Sequence, residues 1–395
     1  MARSRITHIN GMLERIRNNP KILKENKQAV EELLFFMQAN SANQNTIAKH
    51  IYSFEKFMDA LDSNVEIKKA TRQDLEKAMA RIESLKLGEE TKRNIRVVVK
   101  SYFKHFLGED LYYPRQIAWL RTSIRKNRKM LPDDILKEDD IIKLIEAANN
   151  PRDKAIIALL FDAGIRAGEL LSLRRKDADL EGTPAHITVT GKTGPRKIPI
   201  LFSVPYLARL LDINNGLKPN DSLWMSIGSW SNLDSPLDYS GLRMMIKRLT
   251  AKAKINKRIY PHLFRHSRAS YYANMLTEQQ LKAFFGWTGD SKMTATYVHL
   301  SGRDIDNAVL QANGMKSKEE AHEHKLKVII CPKCRYENGF SSRHCSRCGS
   351  ALDIAIAIKQ EEMEEKARAL AAKSFEQPET SKGVMDKIKR RRNAK

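Results

Sequence analysis

Residues 186–200 read HITVTGKTGPRKIPI. Ile187, Val189, Ile198 and Ile200 alternate with polar neighbours on either side of a Gly-Pro turn, the period-two signature of a β-hairpin. Lys192 stands at its tip. Helical patterns flank the hairpin on both sides. EDDIIKLIEAANN and PRDKAIIALLFDAG precede it, and Tyr239–Lys254 and Arg268–Leu276 follow it. A helical body broken by one hairpin is therefore expected over residues 136–315.

Residues 1–110 read as helices alone. In TIAKHIYSFEKFMDAL the residues Ile47, Ile51, Phe54, Phe57 and Leu61 recur at steps of four and three, which puts them on one stripe. TRQDLEKAMARIESL opens on Thr71 with Asp74 three residues on, close to a capping box. TKRNIRVVVKSYFKHFLG ends at Gly108, a suitable C-cap. Its other face carries Lys92, Arg93, Arg96, Lys100 and Lys104, which suit either a solvated surface or phosphate contacts. Residues 111–135, with the run RTSIRKNRKMLPDD, read as a basic linker. Residues 316–328 are a charged connector, and residues 354–395 hold a charged helix-prone stretch (Lys359–Lys373) and the basic tail KIKRRRNAK.

The chain has 395 residues, enough for two or three domains, with 70 Lys and Arg against 47 Asp and Glu and a net charge of +23. That excess suits a polyanionic partner, with nucleic acid ahead of an anionic membrane surface or mere solubility. The longest apolar run, Ala155–Phe161, is far short of the ~20 residues that span a bilayer. The start, MARSRITHIN, lacks the apolar segment of a signal peptide. A cytoplasmic protein with no membrane partner is expected.

All four cysteines lie in CPKCRYENGFSSRHCSRCG, where Cys331, Cys334, Cys345 and Cys348 form C-x2-C-x10-C-x2-C. Two such knuckles suit tetrahedral Zn²⁺ in a closed, structural zinc ribbon over residues 329–353. A redox-active CxxC pair is the alternative. His344 is surplus to a four-ligand site. Lys333, Arg335, Arg343 and Arg347 make the module basic, which fits either DNA or a partner subunit.

Several polar residues remain. DAGIRAGELLSL places Arg166 at a helix start with Glu169 one turn on; YPHLFRHSRAS places His262 and Arg265 on one face; FGWTGDSKMTATYVHL places Trp287 ten residues before Tyr297. Each has a structural reading: Arg166 pairing with Glu169, Lys192 as a solvated turn residue, His262 as a helix cap, Tyr297 as packing. In this order they resemble the tyrosine recombinase (phage integrase) family, in its Xer-like or archaeal branch. The match comprises an arginine in G-[LI]-R-x-x-E, a hairpin lysine, H-x-x-R, then His or Trp, and a nucleophilic tyrosine. Two features depart from the commoner pattern: Trp287 replaces histidine, and the loop to Tyr297 is one residue longer. His299 fits the family's frequent Y-x-H.

The resemblance implies a mainly α fold: a helical core-binding (SAM-like) domain, then a mixed α+β catalytic domain with a small hairpin sheet, to which the zinc ribbon is appended. It implies a site-specific recombinase or integrase acting on double-stranded DNA, as a tetramer on paired sites and with accessory DNA-bending proteins. Asp304–Ala312 is a candidate for docking on a neighbouring protomer.

The residue types suit that chemistry. A phenol of pKa ~10 attacks a phosphodiester poorly unless charge on the phosphate is stabilised. Arg166 and Arg265 can grip two oxygens each. Lys192 can protonate the leaving 5′-hydroxyl, and His262 can accept the phenol's proton or orient the phosphate. Trp287 can donate its indole N–H, and Glu169 can orient Arg166 or His262. The product is a 3′-phosphotyrosyl link, formed without ATP or catalytic metal. TGKTG lacks the upstream glycine of a P-loop. A type IB topoisomerase and a noncatalytic zinc-ribbon regulator are the rivals.

Overall fold

The computed structural model describes residues 2–108, 112–123, 134–191, 193–227, 235–273, 275–300, 313, 325–340, 342–353 and scattered positions between 358 and 370. The chain divides into two compact units, Met1–Lys129 and Met130–Lys395. The stretch 304–312 and most of 354–395 lie outside the described residues.

The first unit is helical among its described residues: α1 (Ala2–Asn18), α2 (Lys24–Ala39), α3 (Gln44–Ala60), α4 (Arg72–Ser84), α5 (Glu89–Leu107) and the short α6 (Arg115–Ala118). The stripe of α3 is its core, since Ile47, Ile51, Phe54 and Phe57 are all buried and Leu61 joins them. Thr71 and Asp74 close a reciprocal capping box on α4, and Gly108 ends α5.

Most cations of the basic face of α5 have partners within the unit. Lys92 donates to the Glu83 carbonyl at 2.6 Å and Arg96 pairs with the Glu83 carboxylate. Arg93 reaches the Thr122 carbonyl at 3.1 Å and Lys100 the Leu120 carbonyl at 2.7 Å. Lys100 and Lys104 also lie over the Tyr113 ring. These cations satisfy carbonyls that an irregular segment would otherwise leave unpaired. Accordingly, the start of the segment read as linker packs here, with Ile117 and Leu120 buried in the same core.

The second unit contains α7 (Glu138–Ala147), α8 (Pro151–Ala163), α9 (Ala167–Ser172), β1 (Ala178–Asp179), β2 (Ala185–Gly191), β3 (Gly194–Ile200), α10 (Val204–Ile213), α11 (Tyr239–Lys252), α12 (Pro261–Tyr272), α13 (Glu278–Phe285), α14 (Met293–Leu300), β4 (Ile329–Ile330) and β5 (Glu337–Asn338). Its axis is α8, apolar almost all round and buried from Ala155 to Ala163, as a helix without a polar face must be. The Asn150 side chain caps its start and left-handed Gly164 its end. Asp162, buried near that end, accepts from Leu201 N, Ser203 N and Ser203 Oγ and pairs with Arg268. One carboxylate thus ties the foot of the hairpin and α12 to the core helix.

β2 and β3 pair antiparallel with Ile187 opposite Ile198, and the four alternating apolar residues are buried. Gly191 faces Gly194, so residues 192–193 connect the strands, and Gly194–Pro195, read as the turn, instead open β3. The sequence also did not announce β1, which adds a third strand beside β2. The pattern at Arg268–Leu276 belongs to a helix that starts earlier, at Pro261 in the first helical position.

β4 and β5 form the ladder of the cysteine module. Each C-x2-C pair bends back on itself: Arg335 N donates to Cys331 O and Gly349 N to Cys345 O, with Arg335 and Gly349 both left-handed. Buried Asn338 links the two bends by accepting from Ser346 N and donating to Tyr336 O. Among the described residues no helix is long and apolar enough to cross a membrane.

Candidate active site

Three structural seams converge beyond the C-terminal end of α8: the start of α9, the tip of the hairpin, and the link from α13 to α14. Arg166 is the N-cap of α9, and Glu169 on its first turn accepts the Arg166 backbone N–H at 2.9 Å. The same carboxylate receives Arg166 Nη1 at 2.7 Å, so the ion pair suggested by the sequence exists. It does not fix Glu169 alone. Arg196, on β3 and not singled out in the sequence, grips Glu169 with both Nη atoms at 2.9 Å. Burial opposes ionisation of Glu169, but Arg196 and Arg166 overcome it and hold the carboxyl down to about 2.

Arg265 sits on the second turn of α12, only 2% exposed. Its Nη1 donates to the Gly164 carbonyl at 3.1 Å and its Nη2 to that of Phe285, while its plane lies near the Phe285 and Trp287 rings. Burial and the Arg166 charge push it down to about 9, still a cation at neutral pH. Two guanidinium groups thus grip one carboxylate and a third lies within electrostatic reach of it, an excess of positive charge suited to a phosphodiester.

Gly286 shapes this corner. It ends α13 with φ +58°, and a Cβ there would fall 2.8 Å from Arg196 Nη1. Its carbonyl accepts from Arg166 Nη2 at 3.3 Å and Thr193 Oγ1 at 3.4 Å. Lys192 itself lies outside the described residues. Of its neighbours, Gly191 lies against Glu169 and Thr193 donates to the Gly286 carbonyl.

Tyr297 lies on α14 and is 2% exposed. Trp287 stacks on its ring, with centroids 5.4 Å apart and planes 3° from parallel, a contact worth about 0.5–1.5 kcal/mol beyond its buried area. The tryptophan that departs from the commoner histidine thus covers the tyrosine. The phenol's hydrogen-bond partner is His266 Nδ1, not His262. His262 is exposed and packs edge-on against His266, with centroids 4.6 Å apart. His262 does not cap α12 either, where Tyr260 is the N-cap.

His266, like Arg196, did not stand out in the sequence. Its position four after His262 puts both rings on one face of α12, and that spacing was the available signal. Burial, His262 and Arg265 depress His266 to about 4, so its ring is neutral at pH 7. Burial raises Tyr297 to about 12, with Arg265 opposing the rise. The side chain of His299 lies outside the described residues.

The four cysteine sulfurs lie within 4.8 Å of one another, with Cys331–Cys348 at 3.6 Å and Cys334–Cys345 at 3.5 Å. A tetrahedral Zn²⁺ with ~2.3 Å Zn–S bonds needs sulfurs about 3.8 Å apart, so the set fits a metal ion.

The chain belongs to the tyrosine recombinase family, and residues 134–303 match the phage integrase family. It is a site-specific DNA recombinase, a strand-transfer enzyme. Tyrosine recombinase XerA of Saccharolobus solfataricus is 30% identical over 292 residues, covering 70% of this chain and 90% of that protein. Tyrosine recombinase XerD of Staphylococcus epidermidis is 26% identical over 299 residues, covering 70% and 95%. The fold matches the Tn1549 transposon integrase in complex with transposon right end DNA (TM-score 0.58, 18% identity, 73% of this chain and 98% of that one). It also matches the XerH recombinase bound to palindromic difH substrate (TM-score 0.55, 18% identity, 77% and 95%).

Proposed function

We propose that Tyr297 is the nucleophile of DNA cleavage, with Arg166 and Arg265 as the phosphate clamp. The observation that carries this assignment is the phenol itself, hydrogen-bonded to a neutral imidazole and adjoining a site with three arginines and one carboxylate. The phenolic oxygen attacks phosphorus and forms the 3′-phosphotyrosyl bond. Its proton passes to His266, whose unprotonated Nδ1 accepts the phenol's hydrogen bond. The P–O5′ bond breaks, and Lys192 on the hairpin supplies the proton to the leaving 5′-hydroxyl. His262, exposed beside both clamp arginines, orients a nonbridging oxygen, and Trp287 gives its indole N–H to another. Glu169 and Arg196 position Arg166. Rejoining reverses these steps with a second 5′-hydroxyl, so the phosphoester energy is conserved and no ATP is consumed.

The substrate is double-stranded DNA, held by the helical domain of residues 1–110 and the catalytic domain of residues 136–315. Exchange between two sites needs four protomers, assembled in the cytoplasm with accessory DNA-bending proteins. Plasmids carrying one or two candidate sites test this reading. Recombinants are expected only with paired sites, whereas relaxation without exchange would indicate a topoisomerase.

His266→Gln should slow covalent-complex formation by about 10²–10⁴-fold, the usual contribution of a positioned base, in single-turnover assays on a nicked oligonucleotide. The substitution also reads out in stability. Because folding depresses His266 from its ordinary 6.5 to about 4, the unfolded chain takes up the proton first. This contribution to stability is present above pH 6.5 and is lost as pH falls towards 4. Thermal melts across that window should show a shallower pH dependence in His266→Gln, and an unchanged dependence would contradict the assignment.

Cys331, Cys334, Cys345 and Cys348 would hold a structural Zn²⁺, which orders a module too small for a core of its own. One zinc per chain is expected by atomic emission, lost in Cys345→Ala combined with Cys348→Ala. Cleavage at saturating DNA should persist in chelator, since the metal takes no part in the reaction.

A further inference from the structure

We propose that the seam between the cysteine module and the catalytic body is a second DNA-backbone site, remote from Tyr297. The inference rests on the reading of the protein as a DNA strand-transferase.

The module is docked against the body. Leu326 joins the catalytic core cluster and Phe340 packs against it. Gly339 lies so close to Tyr206 on α10 that a Cβ would fall 2.4 Å from its ring. Lys325 fastens the approach to the module by donating to Glu138 and Asp139 on α7.

This docking leaves a cleft of about 340 Å³ between the start of α8, α10 and the module. Lys154, Arg209, Arg343 and His344 line it, one from each helix and two from the module, and no carboxylate lies among the lining residues. Several cations of the unit are matched, Arg152 with Asp153, Arg268 with Asp162 and Lys257 with Asp140, although others on the surface are not. Lys154, Arg209 and Arg343 likewise form no ion pair among the described residues, and what sets them apart is that they share one cleft without a carboxylate in its lining. Like charges brought together from three elements repel unless an anion lies between them. Asn149 and Ser346 add polar groups to the lining. In a chain of net charge +23, the anion that fits is a phosphodiester of duplex DNA.

The position follows from α8. Its start lines the cleft and its end meets the active site, and 13 residues at 1.5 Å each span about 20 Å. At 3.4 Å per base pair the contacted phosphate lies within about six base pairs of the scissile one along the duplex.

Arg209→Ala combined with Arg343→Ala tests the site in the full chain. Removing two phosphate contacts should lower the slope of log affinity against log salt by about two. An ethylation interference signal within about six base pairs of the cleavage point should disappear, while cleavage at saturating DNA stays within about twofold. An unchanged slope with unchanged interference would overturn the proposal. Gly339→Val, which forces the module off Tyr206 without altering charge, should erase the same interference signal; its retention would also contradict a site made by the seam. Failure of the strand-transferase reading would appear separately, as absence of covalent product with the unaltered protein.

Discussion

Tyr297→Phe is expected to bind DNA with unaltered affinity and to form no covalent complex. The substitution removes one oxygen from a side chain whose ring is held independently, by the Trp287 stack on one face. Only the hydrogen bond to His266 is lost from the folded protein, so the fold should persist. The chemistry should not, because phenylalanine has no lone pair to offer phosphorus. Loss of a nucleophile typically costs at least about 10⁴-fold, leaving any residual turnover to the remaining electrostatics. A nicked suicide substrate resolved on a denaturing gel reads the result directly. Covalent trapping by the variant would reject Tyr297.

Arg265→Lys is the second large effect, although it conserves charge. The guanidinium spans two carbonyls, Gly164 O and Phe285 O, and lies by the Phe285 and Trp287 rings. An ammonium is a compact point charge that cannot reproduce that planar fork. Transition-state charge on the phosphate would lose a positioned partner, for a decrease of about 10²–10³-fold in the cleavage step. The orphaned carbonyl adds about 1–3 kcal/mol of destabilisation. Single-turnover rates at saturating DNA and a thermal melt separate the two consequences. A variant that cleaves at the wild-type rate would show that the buried arginine only supports the fold.

Much of the architecture was legible because local and tertiary preferences agree. The α3 stripe, the Thr71–Asp74 box and the alternating hairpin each announce themselves by period or by spacing. The basic face of α5 was harder. Charge alone cannot say whether a lysine meets a phosphate or a neighbouring carbonyl, and Lys92, Arg93 and Lys100 turned out to meet carbonyls. The same limit applies at the site. Arg166, Glu169, Arg265 and Tyr297 could be picked out by motif, and the fold brings them together. Arg196 and His266 could not, because their importance comes from what they touch across the fold: a carboxylate 27 positions away and a phenol 31 positions away. Trp287 shows the reverse case. It was an irregularity in the sequence, and its flat stack on Tyr297 gives it a physical purpose.

That stack also bears on reactivity. Burial holds the Tyr297 phenol at about 12, so it is protonated at neutral pH and an attack through it needs a base to take the proton.

The most direct measurement is the chemical identity of the protein–DNA adduct. Wild-type protein trapped on a nicked substrate, digested with protease and nuclease, can be sequenced by mass spectrometry. A nucleotide joined through its 3′-phosphate to the peptide containing Tyr297 is the predicted result. An adduct on another residue, or a 5′-phosphate linkage, would contradict it.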